Sequence, residues 1–247
     1  MDRIATKARL NKNKKPTIVL MTRWHAIYRC KSRLSEDIGA LHAAKIQEKL
    51  TNHTIKVARK IQKEGLADVK VAIDGIGIQA AKKWALRNKI QKIETQGAGS
   101  LGTKMKRQFL KTHSEKTISH KIQKIETQGA GNLGTKMKRQ FLKTHSKKSI
   151  SHKKIPNPIL IIGTDLPSIS HFDLIEAIQL LTHKEMVLGP STDGGYWLIG
   201  LSNKLLNPQC TWPFSGISWG TNKVLQETIR LASLNQIDYQ LLQTKND

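Results

Sequence analysis

Asp165 and Asp193 are the residues whose type and spacing best suit them to chemistry. Each follows a short apolar run: Ile159-Leu160-Ile161-Ile162-Gly163-Thr164 leads to Asp165, and Met186-Val187-Leu188-Gly189-Pro190-Ser191-Thr192 leads to Asp193. Such runs, bounded by Gly and Pro, mark strands buried on both faces. In open α/β sheets, ligands collect in the crevice outside the carboxyl ends of these strands. Two carboxylates converging there would offer oxygen donors to a hard divalent cation, and through it hold a phosphate. A lone acid after a strand is more simply a turn cap. The Gly194-Gly195 setting of Asp193 tips the reading towards a ligand or metal.

The elements that must position these acids alternate. Thr17–Met21 reads as a first strand, followed by a loop from Thr22 to Leu34 that carries Arg23, Arg29, Lys31 and Arg33. Ser35 is expected to cap a long helix from Glu36 to about Lys63, with acids in the first turn where the helix dipole favours them. Val69–Ile73 reads as a strand, Ala80–Leu86 as a short helix, and Ser170-His171-Phe172-Asp173 as a capping box opening a helix through Leu181. A helix from about Thr221 to Leu234 lies between late strands at Tyr196–Leu201 and Ile237–Leu242. Strands alternating with helices predict a layered α/β fold with a mostly parallel central sheet.

Composition narrows the class. The length suits one α/β domain, and no run approaches the ~18 apolar residues of a membrane helix. Residues 1–16 read as a basic, disordered tail rather than a signal peptide. Cys30 and Cys210 lie far apart with no CxxC spacing, which points to a reducing cytoplasm and away from a disulfide framework or zinc site. The formal net charge of +24 is carried by the first 153 residues, and residues 154–247 hold 6 basic and 8 acidic side chains. Such a field favours anionic partners such as nucleotide phosphates, nucleic acid or an anionic membrane surface. A compositional bias spread over solvated faces explains the charge at least as well, so nucleic acid is not the favoured partner.

Residues 90–121 and 122–153 are near copies, differing only at Ser100/Asn132, Glu115/Lys147 and Thr117/Ser149. Solenoids need three or more repeats, which normally diverge, so this is an internal tandem duplication. Each copy reads as a glycine-rich loop opening an amphipathic helix, with Leu133, Met137 and Phe141 recurring every four residues. Backbone N–H groups at such a helix start suit an anion, although many glycine loops cap helices without binding anything. One fold position accepts one copy, and the other is expected to be extruded. The second copy is taken as the native one, because Asn132 mimics aspartate more closely and this copy directly precedes the Ile159 strand.

The ordered motifs resemble a known family. Thr22-Arg23 after the first strand, Cys30-Lys31-Ser32-Arg33-Leu34, Gln-Gly-x-Gly-x-Leu-Gly, Gly163-Thr164-Asp165-x-Pro167, Gly189-Pro190-x-x-Asp193-Gly194-Gly195-Tyr196 and Ile217-Ser218-Trp219-Gly220-Thr221 follow one another. The series is similar to the radical-SAM/selenodomain-associated transferases of the first type, glycosyltransferase-like proteins of the nucleotide-diphospho-sugar transferase superfamily. The resemblance runs from about residue 17 to the end and skips one copy. It implies a single GT-A, Rossmann-like domain over 17–247 that binds a nucleotide-linked donor with Mg2+ or Mn2+. Asp165 would be the metal-binding acid and Asp193 its partner, with Gly194 and Gly195 letting backbone approach the ligand. Arg23, Lys31 and Arg33, with Gln128, Gly129, Gly131 and Gly134, would meet the nucleotide. The chain departs from the family pattern at His25 and Tyr28, where Pro and Gly are usual. It departs again at Asn132 (or Ser100) for an acid and at Lys136 (or Lys104) for an arginine, which loses bidentate phosphate recognition but keeps the charge.

Other constellations are weaker. No histidine has a zinc-like partner set, and Ser168, Ser170 and Ser191 lack a neighbouring His–acid pair. Tyr196 and Trp219 read as packing residues. The expectation is a cytoplasmic transferase using a nucleotide sugar, with an unassigned small-molecule acceptor and no nameable catalytic base. The alternatives are a nucleotidyltransferase of the deazaflavin-cofactor guanylyltransferase kind, which takes a nucleoside triphosphate and releases pyrophosphate, and a degenerate basic binding protein.

Overall fold

A computed structural model describes residues 15–118, 157–206 and 216–246. Its chain order is β1 (Thr17–Arg23), α1 (Ser32–Ile38), α2 (Ala40–Lys63), β2 (Asp68–Asp74), α3 (Ile78–Arg87), β3 (Ile93–Thr95) and α4 (Leu101–Ile118). Then follow β4 (Ile159–Gly163), α5 (His171–Leu180), β5 (Met186–Pro190), β6 (Tyr196–Leu201), α6 (Val224–Leu234) and β7 (Tyr239–Leu241). The seven strands form one sheet in the order β3-β2-β1-β4-β6-β5-β7. β6 alone runs against its neighbours β4 and β5, and all other pairings are parallel. The sheet is mostly parallel and flanked by helices, as the alternating pattern predicts.

Period-two alternation along the strands splits the core into two layers. Ile18, Leu20, Leu160 and Ile162 pack on one face with Ile55, Ala58 and Ile61 of α2 and Leu174, Ala177 and Ile178 of α5. Val19, Met21, Ile159 and Ile161 turn to the other face, against Met105 and Phe109 of α4 and Ala232 of α6. This parity continues past the strand ends and decides what faces the crevice. Thr22 and Thr164 point to the α2 side, where Thr22 Oγ1 lies 2.9 Å from both Thr51 Oγ1 and Thr164 Oγ1. Gln47 donates to Thr51 at 3.2 Å. This buried hydroxyl network ties the carboxyl ends of β1 and β4 to α2, and Arg23 and Asp165, one residue further on, take the opposite parity.

Two elements differ from the sequence expectation. The helix expected from Glu36 starts at Ser32 and breaks at Gly39, whose φ of 80° no helix accommodates. Ser35 is therefore interior to α1, and its hydroxyl bonds back to Ser32 O instead of capping. The strand Ile93–Thr95 was not foreseen, because three residues inside a repeated segment give no periodicity. It pairs with β2 and continues into α4, so the first copy of the duplication occupies the fold. Only residues 88–92 separate α3 from β3, and a short link is what a β-α-β crossover favours. The preferred second copy, with Gln128, Gly129, Gly131 and Gly134, lies outside the described residues, as do residues 1–14 and Cys210. At α5 the capping box is present, with Ser170 Oγ accepting from Asp173 N and Asp173 accepting from Ser170 N.

Candidate functional site

The carboxyl ends of β1, β2 and β4, the β3–α4 loop and the β5–β6 turn surround a cavity of about 740 Å3. Arg23, Arg33, Asp165, Asp193 and Gly195 line it, so most of the sequence-derived residues within the described range come together. Lys31 joins them through Asp165, its Nζ 2.9 Å from Asp165 Oδ1. Gly194 has a different role. It sits at φ 86°, and a Cβ there would come within 2.1 Å of the carbonyl oxygen of Asn222. Its carbonyl accepts from Leu225 N at 3.0 Å. The backbone that approaches Gly194 closely is thus the start of α6, which the glycine lets dock on the β5–β6 turn.

Asp193 is held by its own turn, with Oδ1 accepting from Ser191 Oγ at 2.7 Å and from Gly195 N at 2.8 Å. A Cβ on Gly195 would stand 3.1 Å from that oxygen, so glycine keeps the turn tight. The arrangement resembles an Asx turn and fixes where Asp193 presents its second oxygen.

Asp74 and Lys104 belong to the site although sequence reasoning did not single out Asp74. Asp74 ends β2, and its Oδ2 lies 2.7 Å from Lys104 Nζ and 3.9 Å from Arg23. Burial pushes its carboxyl up, but the Lys104 hydrogen bond and charge, a backbone bond from Gly75 and the Arg23 charge outweigh that and hold it below the usual carboxylate range. The signal was available: Val69-Lys70-Val71-Ala72-Ile73-Asp74-Gly75 is an apolar strand ending in an acid, as at Asp165.

The first copy builds the remaining wall. Gln96 is buried, and its Nε2 donates to the carbonyls of Thr22 and Ala72, both at 2.9 Å. Arg107 donates to the carbonyls of Gln96 and Ala98, folding the loop back on α4. Gly97 and Gly99 take φ of 75° and 118° in this loop. The Ser100 hydroxyl accepts from Thr103 N, which is helix capping. Gly102 supports Trp219, whose indole would clash with any Cβ there. Trp219 in turn meets Tyr196 edge-on at 6.5 Å. Both aromatics pack against the α4–α6 core layer while bordering the cavity.

Asp165 and Asp193 are the residues that could hold a divalent cation. They supply hard carboxylate oxygens to one cavity, and water and donor phosphates commonly complete the coordination of Mg2+ or Mn2+. Among the described residues no cluster of three His, Cys, Asp or Glu side chains joins them. Arg23, Arg33 and Lys104 line the same space, Lys31 reaches it through Asp165, and all four can neutralise phosphate charge. No helix among the described residues is long and apolar enough to cross a membrane.

Comparison with known proteins agrees with this architecture. Residues 111–221 match a family model described as "uncharacterized protein conserved in bacteria (DUF2064)", a stretch that includes Asp165, Asp193 and Trp219. No curated protein matches the chain. A protein from Desulfovibrio desulfuricans G20, provisionally named a nucleotide-diphospho-sugar transferase, superposes with a TM-score of 0.63 at 20% identity, over 94% of this chain and 81% of its own. 4-Diphosphocytidyl-2C-methyl-D-erythritol synthase from Anaerococcus prevotii gives 0.48 at 8% identity, over 95% and 89%. Rv0371c from Mycobacterium tuberculosis gives 0.42 at 11%, also over 95% and 89%. The fold is that of the Desulfovibrio protein.

Proposed function

We infer that residues 17–247 form a GT-A-like transferase that moves a sugar or related group from a nucleotide-linked donor, with the second copy of the duplication as an insertion. The observation that carries this reading is the convergence of Arg23, Arg33 and Lys104 with Asp165 and Asp193 in one cavity at the carboxyl ends of a mostly parallel sheet, with Lys31 paired to Asp165. The ordered motifs favour the radical-SAM/selenodomain-associated type. A volume of about 740 Å3 is within the range of small-ligand and cofactor sites. Arg23, Lys31, Arg33 and Lys104 orient the donor phosphates and offset the negative charge that grows on the departing nucleotide. Bound Mg2+ or Mn2+, held by Asp165 and Asp193, would supply further Lewis-acid stabilisation of that leaving group. Asp74 keeps Lys104 and Arg23 together, so the cations are in place before the ligand arrives.

Thermal-shift titration with a panel of nucleotide sugars, with and without Mn2+, tests the reading. At least one donor raises the melting temperature, and Asp165→Asn or Asp193→Asn weakens Mn2+ binding by about tenfold or more. Unchanged binding in both variants removes the metal assignment. A nucleotidyl transfer remains the second reading, because four cations also suit a triphosphate. Release of pyrophosphate from a nucleoside triphosphate would select it.

A further inference from the structure

The geometry points to a second role for Lys31: it is the counter-ion of Asp165 while the site is empty of ligand, competes with a divalent cation for that carboxylate, and passes to the donor phosphates when the cation binds. The inference rests on the reading of Asp165 as a metal ligand. Lys31 Nζ stands 2.9 Å from Asp165 Oδ1, and the two side chains are 22% and 59% exposed, so the lysine comes from the covered side and leaves the carboxylate open to the cavity.

The backbone aims the lysine. Lys31 has φ 46° and ψ 51°, a left-handed conformation that costs a non-glycine residue energy and persists only when its surroundings impose it. Its surroundings do so, because Lys31 O accepts from Ser35 N at 2.9 Å as α1 begins, and Cys30 Sγ and Arg29 N both bond to Ala26 O. Tyr28, three residues earlier, is also left-handed at φ 64°.

The neighbouring pair behaves differently. Asp74 has both Lys104 and Arg23 as partners, so losing one leaves it paired. Lys31 is the one ion-pair partner of Asp165 among the described residues. A divalent cation at Asp165 meets the ammonium in the same place. The two positive charges repel, and donor phosphates entering the same cavity would receive the displaced lysine. Donor and cation would therefore bind cooperatively, each favouring the arrangement the other needs.

The experiment uses Mn2+ alone and uridine or guanosine diphosphate alone as probes, with free Mn2+ read by electron paramagnetic resonance and nucleotide binding by calorimetry. Lys31→Gln keeps the side-chain length and removes the charge, and Lys31→Gly relieves the left-handed strain, so at least one should fold. Both variants are expected to bind Mn2+ alone about 2- to 5-fold more tightly than the parent, the size expected for a half-exposed ion pair. They should bind the nucleoside diphosphate more weakly, and Lys31→Arg should resemble the parent. Lys104→Gln should weaken nucleotide binding without tightening Mn2+. Unchanged or weaker Mn2+ binding in Lys31→Gln and Lys31→Gly, with binding abolished by Asp165→Asn, overturns the counter-ion role and leaves the metal site standing. Mn2+ binding that Asp165→Asn does not affect overturns the metal assignment, and the counter-ion role with it.

Discussion

At the scale of single residues, two acids of the site, Asp74 and Asp165, are already paired with cations, whereas Asp193 is held by its own turn. Asp74 shows what such pairing contributes. Its carboxyl is held below the usual range despite partial burial, whereas an unfolded aspartate titrates near 3.9. A group with a depressed folded pKa contributes stability above its unfolded pKa, and that contribution disappears as pH falls through the folded value. Asp74→Asn is therefore expected to lower the unfolding free energy at pH 7 by about 1 kcal/mol, as befits a partly exposed charged hydrogen bond. The gap between parent and variant should begin to narrow as pH falls below about 4 and go on closing as pH falls through the lower folded value. Urea denaturation from pH 3 to 7 measures both, and a pH-independent gap would mean that Asp74 acts through packing instead. The positions of Asp165 and Asp193 were legible because each follows an apolar strand by two or three residues, which puts it in the loops at the carboxyl ends of β4 and β5. What each acid touches was not legible, since Lys31 and Asp165 meet only through the conformation of a loop whose two left-handed residues, Tyr28 and Lys31, are not glycines.

At the scale of elements, strand and helix positions followed from apolar runs, while breaks depended on backbone conformations that residue type only suggests. The capping box at Ser170 was readable because both partners lie within one turn. The break at Gly39 was not, because the sequence around it continues to favour helix and one glycine is often tolerated there. Gly194 illustrates the same limit. Its sequence context suggested room for a ligand, but the structure shows α6 docking there through Asn222 and Leu225. Gly194→Ala forces a left-handed alanine and drives its Cβ into a backbone carbonyl, so we expect a loss of about 2–4 kcal/mol. The turn carrying Asp193 should shift with it. Chemical denaturation measures the first effect, and weaker Mn2+ binding at a concentration where the variant remains folded measures the second. Gly39→Ala is the informative comparison, because a Cβ there meets nothing within 4 Å. Its cost should come from backbone conformation alone.

At the scale of the whole molecule, the duplication poses the one problem that composition and pattern could not resolve. Which copy docks was unreadable because the docking residues are the same in both. Glu94, which pairs with Lys70, Gln96, Gly102, Lys104, Met105, Arg107 and Phe109 recur as Glu126, Gln128, Gly134, Lys136, Met137, Arg139 and Phe141. Within the loop and first turns the one difference is Ser100 against Asn132, and both are good helix N-caps. Either copy therefore encodes the same edge strand, the same latch on Thr22 and Ala72, and the same apolar pair. Burial of such a pair contributes about 1.5–3 kcal/mol per side chain. A chain lacking residues 122–153 and a chain lacking residues 90–121 are both expected to fold with the same site, their melting temperatures agreeing to within about 4 °C. Both should bind a donor nucleotide with similar affinity. The first deletion removes eight basic and one acidic side chain, and the second removes seven and two. Nucleic-acid binding driven by charge alone should fall in both and show a shallower salt dependence, while donor binding persists. Lys104→Gln should weaken donor binding further in the chain lacking 122–153 than in the full chain, where Lys136 offers a replacement. Equal losses in the two backgrounds would show that the second copy never takes the place of the first.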